Sequence, residues 1–267
     1  MLPLFIYSAL LSYYGQYQGL TSLEGHGIVR FNDGTGVFEK VATLDLKEKW
    51  RFPRGHAVKI QEPDGEFYYF ASPFFYTRVK ATYEDILNPA SYQALRFDEI
   101  SLLWRWQRGL PPTTQTEEQV MINTGAMPAG PARYELKDVA TGRQIRLHGA
   151  SIQWNAWKNC WVLIGVQNGI KDDPSPLGEV WYAEADKPQG PWSKAVKIAT
   201  HPRYTYYNPV HHDFLDAEDG KIIYFEGTYT MEFSGNPLAS TRYDYNQLMY
   251  RLDLSDKRLE DLRSSKP

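Results

Sequence analysis

The feature that most constrains this chain is a unit of short strands that recurs along it. Each unit has a strand, a polar turn, an aromatic-rich strand, a longer loop and a further strand, bounded by the Gly, Pro, Asn and Asp residues that favour turns. A period of about 40–50 residues is typical of β-propeller blades. The clearest units begin at Arg54, Gly149 and Asn208. The sequence therefore predicts an all-β protein, a β-propeller of four-stranded blades.

The blade pattern also sets the expected domain organisation. Residues 1–50 correspond to a partial first blade, because Gly25–Phe31 and Phe38–Ala42 have the pattern of outer strands. Residues 97–148 break the pattern and are either an irregular insertion or an extra blade. A blade cannot bury both faces alone, so neighbouring blades must stack around an axis. We expect one propeller domain over 1–267, with about four visible blades and an incomplete N-terminus.

Composition limits the classes of partner. The 267 residues carry a net charge of −3 and have a pI near 6.1, which gives no electrostatic reason to expect nucleic acid or an anionic membrane. Aromatic residues make up 15% of the chain, and their rings both favour strands and stack on sugars. The single cysteine, Cys160, lies in an apolar run and is expected to be buried.

The first residues do not fix a cellular location. The apolar opening Met1–Tyr7 lacks a basic segment, which makes it a poor signal peptide, and it is too short to span a bilayer. The protein is then either cytoplasmic or, if its N-terminus is incomplete, secreted or periplasmic.

One turn carries a family resemblance. The segment Glu179–Trp192 resembles the third strand and turn of a blade in five-bladed glycosidases, the arabinanase- and β-xylosidase-like enzymes of glycoside hydrolase family 43 and their relatives. Gly149–Ile164 strengthens the likeness, which covers about Arg54–Leu254. It implies five blades and an oligo- or polysaccharide bound in the axial funnel. It also implies three carboxylates at the axis-facing strand ends, because glycoside cleavage needs a protonated leaving oxygen and an activated water.

The inner strands of this chain begin with other residue types. They start at Arg54-Gly55-His56, Gly149-Ala150-Ser151 and Asn208-Pro209-Val210, with no carboxylate. Two functions therefore stay open: a glycosidase-like protein acting on an oligo- or polysaccharide, or a non-catalytic propeller that binds glycan or protein. A third interpretation is a structural fragment of a larger enzyme.

Three carboxylates elsewhere are the catalytic candidates. Glu226 interrupts an aromatic strand, where apolar surroundings favour the protonated acid that donates a proton, and the alternative is an ion pair with an arginine such as Arg242. Asp213 follows two histidines and either points into the channel or caps a turn. Glu24 is flanked by glycines that allow close backbone approach.

The substrate-binding candidates are rings and polar groups near strand ends. His211 and His212 are adjacent, so on a strand they face opposite sides, and one is expected to face the axis with His56. Arg54 is suited to clamp a sugar carboxylate or to form a structural ion pair. The full set comprises Arg54, His56, Trp154, Tyr207, Asn208, His211, His212 and Arg242.

These residues require no cofactor. In the resembling enzymes a central histidine assists a Ca²⁺ ion, but no calcium-loop motif is present in this sequence. No metal site is predicted from a motif, and a bound Ca²⁺ ion stays an open alternative.

Overall fold

The computed structural model describes residues 4–13, 19–128, 130–169, 177–201, 204–231, 234, 245–260 and 262–263, with the backbone alone up to residue 24. The strands of this part are β1 (Leu4–Tyr13), β2 (Gly19–Asn32), β3 (Val37–Thr43), β4 (His56–Glu62), β5 (Gly65–Ala71), β6 (Phe75–Lys80), β7 (Gln93–Asp98), β8 (Leu103–Arg108), β9 (Lys137–Asp138), β10 (Leu147–Asn155), β11 (Cys160–Gln167), β12 (Glu179–Ala185), β13 (Lys194–Thr200), β14 (Thr205–His211), β15 (Ile222–Thr230) and β16 (Asn246–Asp253). The α-helices are α1 (Tyr83–Leu87) and α2 (Gln115–Thr124), and short 3₁₀ helices cover Leu46–Arg51, Pro89–Ser91, Asp213–Leu215, Glu218–Gly220 and Lys257–Leu259.

The strands of these ranges form four sheets. The first has the order β1-β2-β3, the second β4-β5-β6-β7-β8, the third β10-β11-β12-β13-β9, and the fourth β14-β15-β16. Every strand pair is antiparallel except β13 with β9, which is parallel. The all-β class predicted from the sequence is therefore confirmed, while closure of the sheets into a propeller ring stays a prediction.

The predicted four-stranded unit is recognisable in the two middle sheets. Strands β4–β7 and β10–β13 follow the expected order along the chain, and each sheet gains a fifth strand at its outer edge. Both extra strands come from the segment 97–148. Strand β8 completes the second sheet and β9 borders the third, so this segment supplies edges to its neighbours and forms no sheet of its own. Strand β9 is only two residues long, which is too short for an alternating strand pattern to mark it in the sequence.

The third sheet is buried on both faces, which explains its apolar sequence. Every residue of β12 is buried, and Cys160 in β11 is fully buried, as predicted. On one face, Trp181 and Ile152 pack in a core shared with Phe67 and Tyr69 of the second sheet. A second core joins the opposite face to the fourth sheet, through members such as Val162, Tyr182, Ile223 and Phe225. Strands covered on both sides need near-continuous apolar runs, unlike strands with one solvent face.

Helix α2 lies between the second and third sheets and has a complete N-terminal cap. The side chain of Thr114 accepts a hydrogen bond from the backbone N–H of Glu117, whose carboxylate accepts one from the backbone N–H of Thr114. Gly125 ends the helix in the left-handed conformation, with φ 77°.

Within the described ranges, no helix is long and apolar enough to cross a membrane.

Candidate functional site

The inner strands β4, β10 and β14 bring together residues that are far apart in the chain. Strand β10 contacts both β4 and β14. The backbone N–H of His211 donates to Ser151 Oγ at 2.8 Å, which links β14 to β10. His211 itself is buried, and its Nε2 lies 2.9 Å from Asp216 Oδ1. His211 therefore packs between sheets, and His212 follows directly after the end of β14.

A bulge in β14 exposes two of the predicted binding residues. The pairing of β14 with β15 shifts in register between Tyr207 and Val210, and Asn208 adopts a positive φ of 49°. Asparagine tolerates this left-handed conformation better than most residues. Tyr207 and Asn208 are both exposed, and the Tyr207 ring centroid lies 5.5 Å from that of His148 at the start of β10. The bulge thus presents an aromatic ring and an amide beside a neighbouring strand.

Glu226 meets His212 beyond this bulge. Glu226 lies opposite Val210 in the β14–β15 ladder, and its Oε1 is 3.3 Å from His212 Nε2. The Glu226 side chain is 32% exposed and that of His212 is 20% exposed. Because both groups reach solvent, the pair can exchange protons with a bound molecule as well as with each other.

His56, the first residue of β4, completes this group from another sheet. Its pKa is lowered by burial, and further by the charge of His212, while the charge of Glu226 raises it. The charges of both residues thus act on His56, although they belong to the fourth sheet and His56 to the second. We call His56, His212 and Glu226 the inner-strand group. Neutral imidazole donates one hydrogen bond and accepts another, and the carboxylate accepts several, so the group is suited to bind hydroxyl groups and to transfer a proton.

Arg54 lies next to the inner-strand group and is anchored by a ring. Its guanidinium carbon is 5.4 Å from the centroid of the Phe52 ring, which stacks on His26 at 4.1 Å with an interplanar angle of 9°. Burial lowers the pKa of His26, and the positive charge of Arg54 lowers it further. Arg54 thus has two aromatic neighbours that the sequence did not indicate. Phe52 lies against its guanidinium, and His26 stacks on Phe52.

Two other candidates lie apart from this group. Trp154 is 43% exposed and packs edge-on against Trp161, at the end of β10 opposite His148. Asp213 is exposed, and its Oδ1 accepts a hydrogen bond from the Phe214 backbone N–H. Across the described ranges, Asp213 makes no ion pair. This contact joins neighbouring residues of the 3₁₀ helix Asp213–Leu215, which has no side-chain cap hydrogen bond.

Two candidates cannot be placed as side chains. The backbone of Glu24 lies in β2 at a bulge, because Ala9 pairs with Gly25 while Leu10 pairs with Leu23, and its side chain lies outside the described part of the structure. Arg242 lies outside the described residues altogether, as does most of its loop.

Several residues of the site were not predicted. Asp216 pairs with His211, Ser151 fastens the inner strands, and His148 contacts Tyr207. The position of His148 directly before the predicted strand at Gly149 was a usable signal. Contacts of Asp216 and Ser151 depend on how the sheets stack, which no local pattern reveals. Among the described residues, no group of three or more His, Cys, Asp or Glu side chains could hold a metal ion.

Together, the fold and the site define a mostly β protein of packed sheets with a carboxylate–imidazole pair, Glu226 and His212, in its fourth sheet. No family model matches the sequence, and no curated protein matches it. Among solved structures, the chain is similar to endo-1,5-alpha-L-arabinanase from Thermotoga petrophila RKU-1, in complex with TRIS, at 14% identity and a TM-score of 0.36. The match covers 87% of this chain and 51% of the arabinanase, so the chain spans about half of that enzyme's length. A likeness of this extent leaves the function to be argued from the chain's own residues.

Proposed function

We propose that this chain is a carbohydrate-active β-propeller that acts on an oligo- or polysaccharide at the inner-strand group, with Glu226 as its proton-transfer residue. The observation that carries the proposal is the contact between Glu226 Oε1 and His212 Nε2 at 3.3 Å, with His56 close enough to sense both charges. The charges of this pair in the fourth sheet act on His56 of the second sheet, which a structural ion pair within one sheet does not require.

The chemistry of the group suits a sugar. Cleavage of a glycosidic bond needs a proton for the leaving oxygen and a base that activates water. Glu226 is partly exposed beside an imidazole that can share its proton, so it can serve as acid or base. The exposed ring of Tyr207 and amide of Asn208 add stacking and hydrogen-bonding groups nearby.

The propeller arrangement is supported by the way the sheets pack. The third sheet is covered on both faces, by the second and the fourth sheets, as expected of an internal blade. Its inner strand β10 contacts the inner strands β4 and β14 of the two neighbours. In a propeller the first strand of each unit lies nearest the common axis, so this arrangement predicts that the inner-strand group faces that axis.

The test of catalysis is reducing-sugar release from plant, algal and bacterial polysaccharides by the wild-type chain and Glu226→Gln. The matched control is Glu218→Gln, because Glu218 is an exposed carboxylate that follows β14 in the chain and pairs with Lys221. We expect release by the wild type and the control, and a reduction of about 10²- to 10⁴-fold in Glu226→Gln. Equal turnover of all three proteins would remove Glu226 from the mechanism.

A second candidate function is non-catalytic binding of glycan or protein by the same face. It is favoured by one observation: the predicted inner-strand starts Arg54–His56, Gly149–Ser151 and Asn208–Val210 carry no carboxylate, whereas glycosidases ordinarily use two. Retention of the folded chain on an immobilised polysaccharide, without any sugar release, supports this alternative. Repeated turnover contradicts it.

A further inference from the structure

A pocket of about 290 Å³ opens beside Arg54, at the side of the second sheet. Its walls come from the 3₁₀ helix Leu46–Arg51, the β5–β6 hairpin and the segment that leads into α2. Its volume is at the lower end of the range for small-ligand sites, about 300–1,000 Å³. The pocket is thus large enough for a single sugar unit rather than a chain.

The pocket has an excess of positive charge. Lys49 and Arg54 both line it, and neither forms an ion pair with any residue that the structure describes. Glu117 is the carboxylate in the wall, and it accepts hydrogen bonds from the backbone N–H and the hydroxyl of Thr114 at 2.7 and 2.9 Å. Because Glu117 is engaged in capping α2, the two cations are available to an anionic ligand.

Aromatic surface accompanies these charges. Trp50 and Tyr76, both half-buried, contribute rings to the wall, and Phe52 forms part of it beneath Arg54. Aromatic rings stack on the apolar faces of sugars, and arginine binds carboxylates through two parallel hydrogen bonds. A ring beside a fixed guanidinium is the combination that a sugar carrying a carboxylate requires.

The pocket and the inner-strand group are linked along the chain, because Arg54 lines the pocket and His56 follows two residues later. Arg54 is followed by Gly55, whose φ is 69°, and then by His56. A Cβ on Gly55 would lie 1.6 Å from the carbonyl oxygen of Ala71, so the chain can turn tightly here only with glycine. Arg54, which lines the pocket, is therefore joined through one tightly turned residue to His56, the first residue of β4.

We infer that the pocket binds the carboxylate of a uronic acid, so that the substrate class is an acidic glycan. This inference rests on the proposed function and names the substrate of that same site. Arg54 binds the carboxylate directly, Lys49 adds a second charge, and Trp50 contacts the sugar ring. The neighbouring sugar unit then extends over Gly55 toward His56.

The test is a glycan array that carries uronic-acid oligosaccharides together with the same oligosaccharides after reduction of their carboxyl groups. The proteins are the wild type, Arg54→Gln, Lys49→Gln and the control Lys47→Gln. Lys47 belongs to the same 3₁₀ helix as Lys49 but is exposed outside the pocket wall. We expect the wild type and the control to prefer the acidic forms by about tenfold or more, the effect of one charged hydrogen bond.

Each result separates the inference from the proposed function. Arg54→Gln and Lys49→Gln are expected to lose most of the preference, and added salt weakens it in the wild type. Equal binding of acidic and reduced glycans, or a preference that both variants retain, overturns the inference and leaves glycan binding intact. The double variant His56→Ala with His212→Ala is added to the same array, and an affinity for the acidic forms equal to that of the wild type overturns the proposed site instead. Binding to no glycan overturns both.

Discussion

Glu226 Oε1 of β15 lies 3.3 Å from Nε2 of His212, the residue that directly follows β14. The contact crosses from one strand of the fourth sheet to the end of its neighbour, beyond a bulge that shifts the register of the pair. His56 joins them from the second sheet. The electrostatic balance of these three residues gives the first prediction.

The titration of His56 should report on both of its neighbours. Burial and the charge of His212 lower its pKa, and the charge of Glu226 raises it. Replacing Glu226 with Gln removes a charge that stabilises the imidazolium, so the pKa of His56 should fall further. His212→Asn removes a repulsive charge, so it should rise. Imidazole NMR signals followed from pH 4 to 8 measure both shifts, and a His56 signal that ignores both variants would show that the three groups are not adjacent.

Glu118 should make stability depend on pH near neutrality. This buried carboxylate accepts hydrogen bonds from the backbone N–H groups of Arg133 and Tyr134 at 2.6 and 2.7 Å. Those bonds favour the ionised form, but burial outweighs them and raises the pKa of Glu118 from 4.5 to about 7. The folded state therefore binds more protons than the unfolded state between these values. The contribution of protonated Glu118 to the stability of the fold is complete below pH 4.5 and is lost as the pH rises through about 7.

The corresponding measurement is urea unfolding of the intact chain from pH 4 to 8. The free energy of unfolding should fall by on the order of 3 kcal/mol across this window. In Glu118→Gln the fall should largely disappear, because the amide does not titrate. A variant with the same slope as the wild type would contradict the assignment.

Gly55→Ala should be strongly destabilising, because two costs combine at this position. The residue has a φ of 69°, and an added Cβ would lie 1.6 Å from the Ala71 carbonyl oxygen. Gly36 has nearly the same φ, 67°, but an added Cβ there meets nothing within 4 Å. Gly36→Ala should cost about 1–2 kcal/mol for the left-handed backbone alone, and Gly55→Ala more than about 4 kcal/mol. Thermal or urea unfolding compares the two variants. Equal losses of stability would mean that the Ala71 carbonyl does not block a Cβ at Gly55.

Asp216→Ala should destabilise the fold through His211. The His211 side chain is fully buried, and its Nε2 would lose the partner that lies 2.9 Å away. An unsatisfied buried polar group costs about 1–3 kcal/mol. Asp213→Ala, at an exposed carboxylate of the same loop, should leave the unfolding midpoint within experimental error of the wild type. A loss in both variants alike would show that the loop, and not the His211 contact, sets the effect.

The two middle sheets were predictable because their signals are local. Turn residues at Asn155–Asn159 and Asp186–Gly190 separate apolar runs, and these runs become β10 to β13. Strand alternation predicted opposite sides for His211 and His212, and the orientation of either residue toward an axis stays a prediction. By contrast, the edge strands β8 and β9 pair with strands whose identity depends on the whole sheet.

The sequence indicated the individual residues of the site but not their arrangement. The pattern indicated Glu226, His212 and His56 separately, since each interrupts or borders an apolar strand. Their meeting depends on the bulge at Asn208 and on the stacking of separate sheets, which are properties of the assembled core. For the same reason, the cation pair Lys49 and Arg54 emerged only when the fold enclosed a pocket between them.

The central claim is that the inner-strand group binds carbohydrate, and affinity electrophoresis through gels containing plant, algal or bacterial polysaccharides tests it most directly. The wild type and the control Glu218→Gln should be retarded by at least one polysaccharide. The double variant His56→Ala with His212→Ala should bind that polysaccharide at least about tenfold more weakly than the wild type, while keeping the wild-type melting profile. Retardation of all three proteins to the same extent, or of none by any polysaccharide, would contradict the account.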